Sequence, residues 1–195
     1  MALCLTFGQT TAQSWSASIA GVGTFSSPRC TDLNQDGVLD IVMGAGREEF
    51  MKCDSAVLAL DGKTGKMLWH VRAIDQIFGS AIFMDITGDS VQDVFIGGRS
   101  AELLAIDGAE GRIIWRFCQV NNILETQKEG WFNFYNPQFI ADQDGDQLPD
   151  MIISNGGDVM AEPHDSNRPP GHLTIISAKT GLLLSKAAMP DQKEI

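Results

Sequence analysis

Three times along the 195-residue chain an apolar run enters a short, aspartate-dense segment and leaves it as another apolar run closed by glycine. The segments are CTDLNQDGVLDIVMGAG, FMDITGDSVQDVFIGG and IADQDGDQLPDMIISNGG, with leading aspartates Asp32, Asp85 and Asp142 spaced 53 and 57 residues apart. A second shared element follows each: SAVLALDGKTGKMLWHV, AELLAIDGAEGRIIWRF and HLTIISAKTGLLLSKA. A repeat of this period is one supersecondary unit that buries its faces only by stacking on its neighbours.

Within each unit the pattern predicts four short strands. The first enters the acidic loop (81–85 and 138–141), and the second leaves it (41–43, 94–96, 151–153). The third and fourth form a hairpin, 56–60 and 66–71 in the first unit, around the turn Asp61-Gly62-Lys63-Thr64-Gly65. Gly65 is placed to supply the left-handed backbone of a tight reversal. Short β-rich runs bounded by glycine suit strands buried on both faces, and helical periodicity is nowhere sustained. The expected fold class is all-β: propeller blades of four antiparallel strands, three repeats, belonging to a larger ring of seven or eight blades. The blades span 14–76, 77–134 and 135–190, with 191–195 a truncated connection. Three blades leave two sheet faces open, so the chain is expected either to form part of a longer propeller or to self-associate.

The first acidic loop sets oxygen side chains at its first, third, fifth and ninth positions: Asp32, Asn34, Asp36 and Asp40. The carbonyl of Val38 completes the set, and Gly37 makes the sharp turn. The second loop offers Asp85, Thr87, Asp89 and Asp93 with the carbonyl of Val91; the third offers Asp142, Asp144, Asp146 and Asp150 with that of Leu148. Like charges packed this densely are costly unless a cation sits among them. The spacing suits a hard cation of calcium's size, with up to three ions per chain; magnesium prefers to keep its waters. An EF-hand would need a bidentate glutamate at position twelve, where this chain has Met43, Ile96 and Ile153. The loops, with the apolar-glycine strand after each, resemble FG-GAP/VCBS-type repeats of integrin-type propellers and bacterial secreted proteins. Ser90 and Gln147 stand where glycine is usual, at a cost of about 1–2 kcal/mol for a left-handed non-glycine residue.

The hairpin ALDGKTGKMLW, repeated as AIDGAEGRIIW, resembles the tryptophan-docking hairpin of pyrroloquinoline-quinone-type propellers. That resemblance implies that Trp69 and Trp115 each pack on the turn of an adjacent blade. The third unit has Ser185 at the aligned position, so no such docking is expected from it. Some members of that family are quinone-dependent dehydrogenases. No residue here is assignable to a quinone site, so pyrroloquinoline quinone is not the expected cofactor. The expected function is a secreted, periplasmic or cell-surface module that binds a protein or glycan. The alternatives are a fragment of a quinone-dependent dehydrogenase or of a carbohydrate-active propeller enzyme.

A formal net charge of −11 argues against nucleic acid as a partner. Residues 1–13 read as the remnant of a secretory signal, with a buried first strand as the alternative. No later run of 18 apolar residues exists to span a membrane. Cys30 and Cys53 fall in one unit, either bridged in an oxidising compartment or as two free thiols. The aromatic stretch 130–137 is expected to be an inter-blade connector whose rings fill the seam, with a stacking platform as its functional alternative. The insertion 156–171, carrying His164, Asp165 and Arg168, is the expected recognition loop.

Overall fold

The computed structural model describes residues 14–117, 130–158, 161–162, 167 and 169–189. The predicted leader, residues 191–195, and His164, Asp165 and Arg168 lie outside the described residues. The described chain is all-β. Its first sheet is built in chain order from β1 (Arg29–Thr31), β2 (Asp40–Gly44), β3 (Cys53–Leu60) and β4 (Met67–Ala73). The second follows the same order with β5 (Ile82–Met84), β6 (Asp93–Gly97), β7 (Leu103–Ile106) and β8 (Ile113–Arg116). An extra strand, β9 (Asn133–Phe134), comes next in the chain. The third sheet repeats the order with β10 (Gln138–Ile140), β11 (Asp150–Gly156), β12 (His172–Ile176) and β13 (Leu183–Ala188). There β9 pairs with the far end of β11. All pairings are antiparallel. No helix among the described residues is long and apolar enough to cross a membrane.

The two-residue period of each strand decides which side chains reach which neighbour. In β2 and β3, Val42, Val57 and Ala59 join Val94, Ile96, Leu104 and Ile106 of the second sheet in one core. The alternate residues of β6 and β7, Phe95, Leu103 and Ala105, join Phe134, Met151, Ile153 and Ile176 in a second core. The middle sheet is therefore buried on both faces, and every residue of β6 and β7 is buried. This explains why its strands read as continuous apolar runs rather than alternating ones. The outer strand β13, by contrast, is exposed along its whole length.

The aromatic stretch follows the connector expectation. Phe132 and Phe134 are buried, and Trp131, Phe117 and Phe134 pack ring on ring, with Phe117 edge-on to both partners at 4.8 and 4.9 Å. Lys186 lies over the Trp131 ring at 4.2 Å, closing that cluster from β13.

The bridged alternative for the cysteines is overturned: Cys30 and Cys53 are both free. Cys30 pairs with Ile41, and Ile41 with Leu60, whereas Cys53 sits at the other end of β3 opposite Ala73. At strand rise that separation is on the order of 20 Å, far beyond the span of a disulfide. Cys30 is exposed and Cys53 buried. Iodoacetamide is therefore expected to label Cys30 in the native protein and Cys53 only after denaturation, as peptide mapping would show. Protection of both until reduction would restore the bridge.

Candidate metal centre

The three acidic loops join the first and second strands of their sheets and share one hydrogen-bond plan. The leading aspartate collects amides from the far side of the loop. Asp32 accepts from Asp36 and Gly37 at 3.2 and 2.9 Å. Asp85 accepts from Gly88 and Ser90 at 2.6 and 2.9 Å. Asp142 accepts from Asp144, Gly145 and Gln147 at 3.1, 2.6 and 2.8 Å. The fifth residue then accepts from the seventh: Asp36 from Val38, Asp89 from Val91 and Asp146 from Leu148, at 2.9, 2.8 and 2.9 Å. These side-chain turns wrap the chain around the carboxylates without help from regular structure. The Gly145 and Gln147 amides hold Asp142 below the usual carboxylate range. For Asp85 burial pushes the other way, but the amides of Gly88 and Ser90 outweigh it and the group is also lowered. Both are thus kept in the charged form a cation requires.

The left-handed backbone expected at Ser90 and Gln147 is present, with φ of 71° and 75°, matching Gly37 at 83°. A second left-handed position, which the sequence pattern does not expose, lies two residues earlier: Gln35 at 59°, Gly88 at 79° and Gly145 at 85°. Each loop therefore needs two such residues and has one glycine. Gln35→Gly, Ser90→Gly and Gln147→Gly are each expected to stabilise the fold by about 0.5–1 kcal/mol. Relief of about 1–2 kcal/mol of strain is partly offset by the extra entropy of glycine in the unfolded chain. Denaturant midpoints measure this, and a fall in all three variants would contradict it.

The third loop brings three carboxylates together: oxygens of Asp142, Asp144 and Asp146 all lie within 4.8 Å of one another. Calcium binds oxygens at about 2.3–2.6 Å, so ligands on opposite sides of one ion stand roughly 5 Å apart. The triad fits around a single ion of that size. In the first and second loops the third position is Asn34 or Thr87, which offers a neutral oxygen on the same chain path. The donor set is hard oxygen throughout, which suits calcium rather than a transition metal.

The ninth-position aspartates do something the spacing alone does not reveal. They are turned inward, and their oxygens are taken up by backbone amides. Asp40 accepts from Leu33 and Asn34 on one oxygen and from Gly62 on the other, at 2.8, 3.3 and 2.9 Å. Asp93 accepts from Ile86, Thr87 and Gly108 at 2.8, 3.0 and 3.1 Å. Asp150 accepts from Gln143 at 2.6 Å and from Ala178. Burial pushes Asp93 and Asp150 above the usual carboxylate range, and the neighbouring Asp144 charge adds to the effect at Asp150. Their shared role is to pin the acidic loop to the hairpin turn of the same sheet. Lys63–Asp36 at 3.8 Å and Lys179–Asp146 at 3.9 Å bind the same two segments from outside.

The same turns receive the tryptophans. Trp69 on β4 donates from Nε1 to the Gly108 carbonyl at 2.7 Å, and Trp115 on β8 donates to Ala178 at 2.9 Å. Each ring lies over the last glycine of the turn: a Cβ at Gly111 would stand 2.6 Å from Trp69, and one at Gly181 would stand 2.7 Å from Trp115. Those glycines have φ of 71° and 72°, so both space and backbone exclude a side chain there. A third copy of this docking is one that the hairpin motif does not announce. Trp15 donates to the Gly62 carbonyl at 2.8 Å and lies over Gly65, whose φ is 72°. A signal for it exists, because Trp15 precedes Asp32 by 17 residues as Trp69 precedes Asp85 by 16. It is obscured because Trp15 lies outside the aspartate–glycine hairpin motif that marks Trp69 and Trp115. At Gly62, Gly108 and Ala178, one residue thus gives its amide to the acidic loop and its carbonyl to a tryptophan from the segment before it.

No protein-family model matches the chain, and no curated protein matches it either.

Proposed function

We propose that this chain is a calcium-stabilised, propeller-type repeat module of the FG-GAP/VCBS kind, secreted or displayed at a cell surface, that binds a protein or glycan partner. The observation that carries the reading is the threefold recurrence of one assembly: an acidic loop, a hairpin turn pinned to it, and a tryptophan docked on that turn. A cation in the loop neutralises its crowded carboxylates and fixes the turn that receives the neighbouring blade. Metal binding then stiffens the stack rather than performing chemistry, which suits weak calcium sites saturated in extracellular fluid. A ring of such units leaves its connectors and long loops free for recognition.

The tryptophans report on this directly. Adding calcium to chelator-treated protein is expected to change tryptophan fluorescence saturably, with a midpoint of roughly 0.1–1 mM. Equal magnesium should produce a much smaller change. A flat calcium titration, or one that magnesium reproduces, would remove the metal from the proposal.

A further inference from the structure

On the side of the sheets opposite the acidic loops, an open cavity of about 270 Å³ is lined by Phe25 from the segment before β1, Gln76 and Phe78 between β4 and β5, Arg99 between β6 and β7, Asn133 on β9 and Tyr135 just after it. We infer that this cavity is a binding subsite for one neutral sugar residue of a glycan. The inference rests on the binding-module reading above and deepens it by naming the ligand class and the residues that meet it.

The lining is part aromatic and part polar. Phe78 and Tyr135 pack edge-on at 5.5 Å, and the Arg99 guanidinium lies 5.7 Å from the Phe78 ring centre. Phe25 stands at the rim and is 87% exposed. Its backbone is anchored on both sides: the Thr24 hydroxyl donates to the Gly44 carbonyl at 2.5 Å, and the Ser26 hydroxyl donates to Gly79 at 2.7 Å. The backbone that carries Phe25 is thus fixed beside the cavity, and its exposed ring is available to stack on the C–H surface of a pyranose.

The polar part is preoriented by the protein and left partly unused. Gln76 donates to the Arg47 carbonyl and accepts from Arg99 Nε, at 2.5 and 3.3 Å. Asn133 accepts from the Ser100 amide and donates to the Gly157 carbonyl, at 3.3 and 3.4 Å. Each side-chain amide has two N–H donors and two acceptor lone pairs, so among the described residues one donor and one acceptor remain on each. Arg99 uses Nε on Gln76 and one terminal nitrogen on Glu49 at 2.7 Å, which among the described residues leaves further N–H donors. A fixed mixture of donors and acceptors matches hydroxyl groups, which are both.

Charge separates a neutral sugar from an anionic one. The Arg99 charge is already balanced by Glu49, and the chain carries a formal net charge of −11, so an acidic ligand meets no free cation among these lining residues. Size points the same way. Pockets for drug-sized ligands begin near roughly 300 Å³, so this cavity suits a single ring.

The test is saturation-transfer NMR on the full 195-residue chain with methyl α- and β-pyranosides of glucose, galactose and mannose, and with methyl β-glucuronide as the anionic comparison. At least one neutral pyranoside is expected to receive saturation, with a dissociation constant on the order of 1 mM for a ligand of about a dozen heavy atoms. Transfer should fall on one face of the ring. Phe25→Ser, at a position too exposed to affect folding, should weaken binding roughly tenfold or more, as aromatic stacking commonly dominates small sites. Phe50→Ser, at an exposed phenylalanine outside the cavity lining, should leave it unchanged. No transfer to any neutral pyranoside, equal transfer to the Phe25→Ser variant, or preference for the glucuronide would each overturn the inference. The calcium response of the tryptophans is read separately, so failure here is distinct from failure of the metal-stabilised module.

Discussion

Replacing Trp69 with alanine is expected to destabilise the protein by about 3–5 kcal/mol, the cost of removing a large buried aromatic and leaving a cavity. Trp69 is only 7% exposed and belongs to the core shared by the first and second sheets. Its removal also strands the Gly108 carbonyl, which accepts the indole N–H. For a chain of this size the thermal midpoint should fall by roughly 10 °C. Trp69→Phe keeps most of the packing but removes the donor, and should cost about 1 kcal/mol for the hydrogen bond alone beyond any packing defect. A further consequence follows from Gly108, whose amide is held by Asp93 of the second acidic loop. If turn and loop act as one unit, Trp69→Ala weakens calcium binding in that loop more than in the third. Calorimetric titration of the variant measures this. Unchanged stability, or equal weakening of all sites, would separate the tryptophan docking from the metal.

If the acidic loops hold calcium as proposed, its removal is the second large expected effect. A ligand that binds only the folded state stabilises it by RT ln(1 + [L]/Kd), or about 1.4 kcal/mol per site at roughly ten times the dissociation constant. Three such sites give about 4 kcal/mol, and excess chelator should therefore lower the thermal midpoint by roughly 10 °C. Asp36→Ala, in a loop whose other carboxylates stay hydrogen-bonded without it, should abolish about a third of that shift. Asp36 is exposed and accepts the local Val38 amide, so the variant's stability in chelator should stay close to the parent's. A midpoint indifferent to a large excess of chelator would count against metal in all three loops.

Much of the architecture is legible in the sequence because the repeat places strong local signals in register. Aspartate-rich turns, apolar runs closed by glycine and the DGKTG and DGAEG hairpins each fix backbone geometry within a few residues, and the four strands of each sheet fall where these signals put them. Trp69 and Trp115 are legible for the same reason. What stays hidden depends on contacts between segments. The ninth-position aspartates look like further ligands in a linear motif, yet Asp40, Asp93 and Asp150 fold inward onto amides of a hairpin turn that lies well downstream in the chain. Trp15 carries the same chemistry as Trp69, but its segment lies apart from any recognisable hairpin. Cys30 and Cys53 share a unit and a sheet, yet register along β3 places them at opposite ends. The cavity beside Phe25 draws its walls from several segments far apart in the chain, so no single stretch of sequence announces it.

An anomalous difference map from a crystal grown in millimolar calcium addresses the metal most directly. One peak is expected inside each acidic loop, coordinated by Asp32, Asn34 and Asp36, by Asp85, Thr87 and Asp89, and by Asp142, Asp144 and Asp146. Three ordered loops without a peak, their aspartates bonded to backbone amides alone, would contradict it.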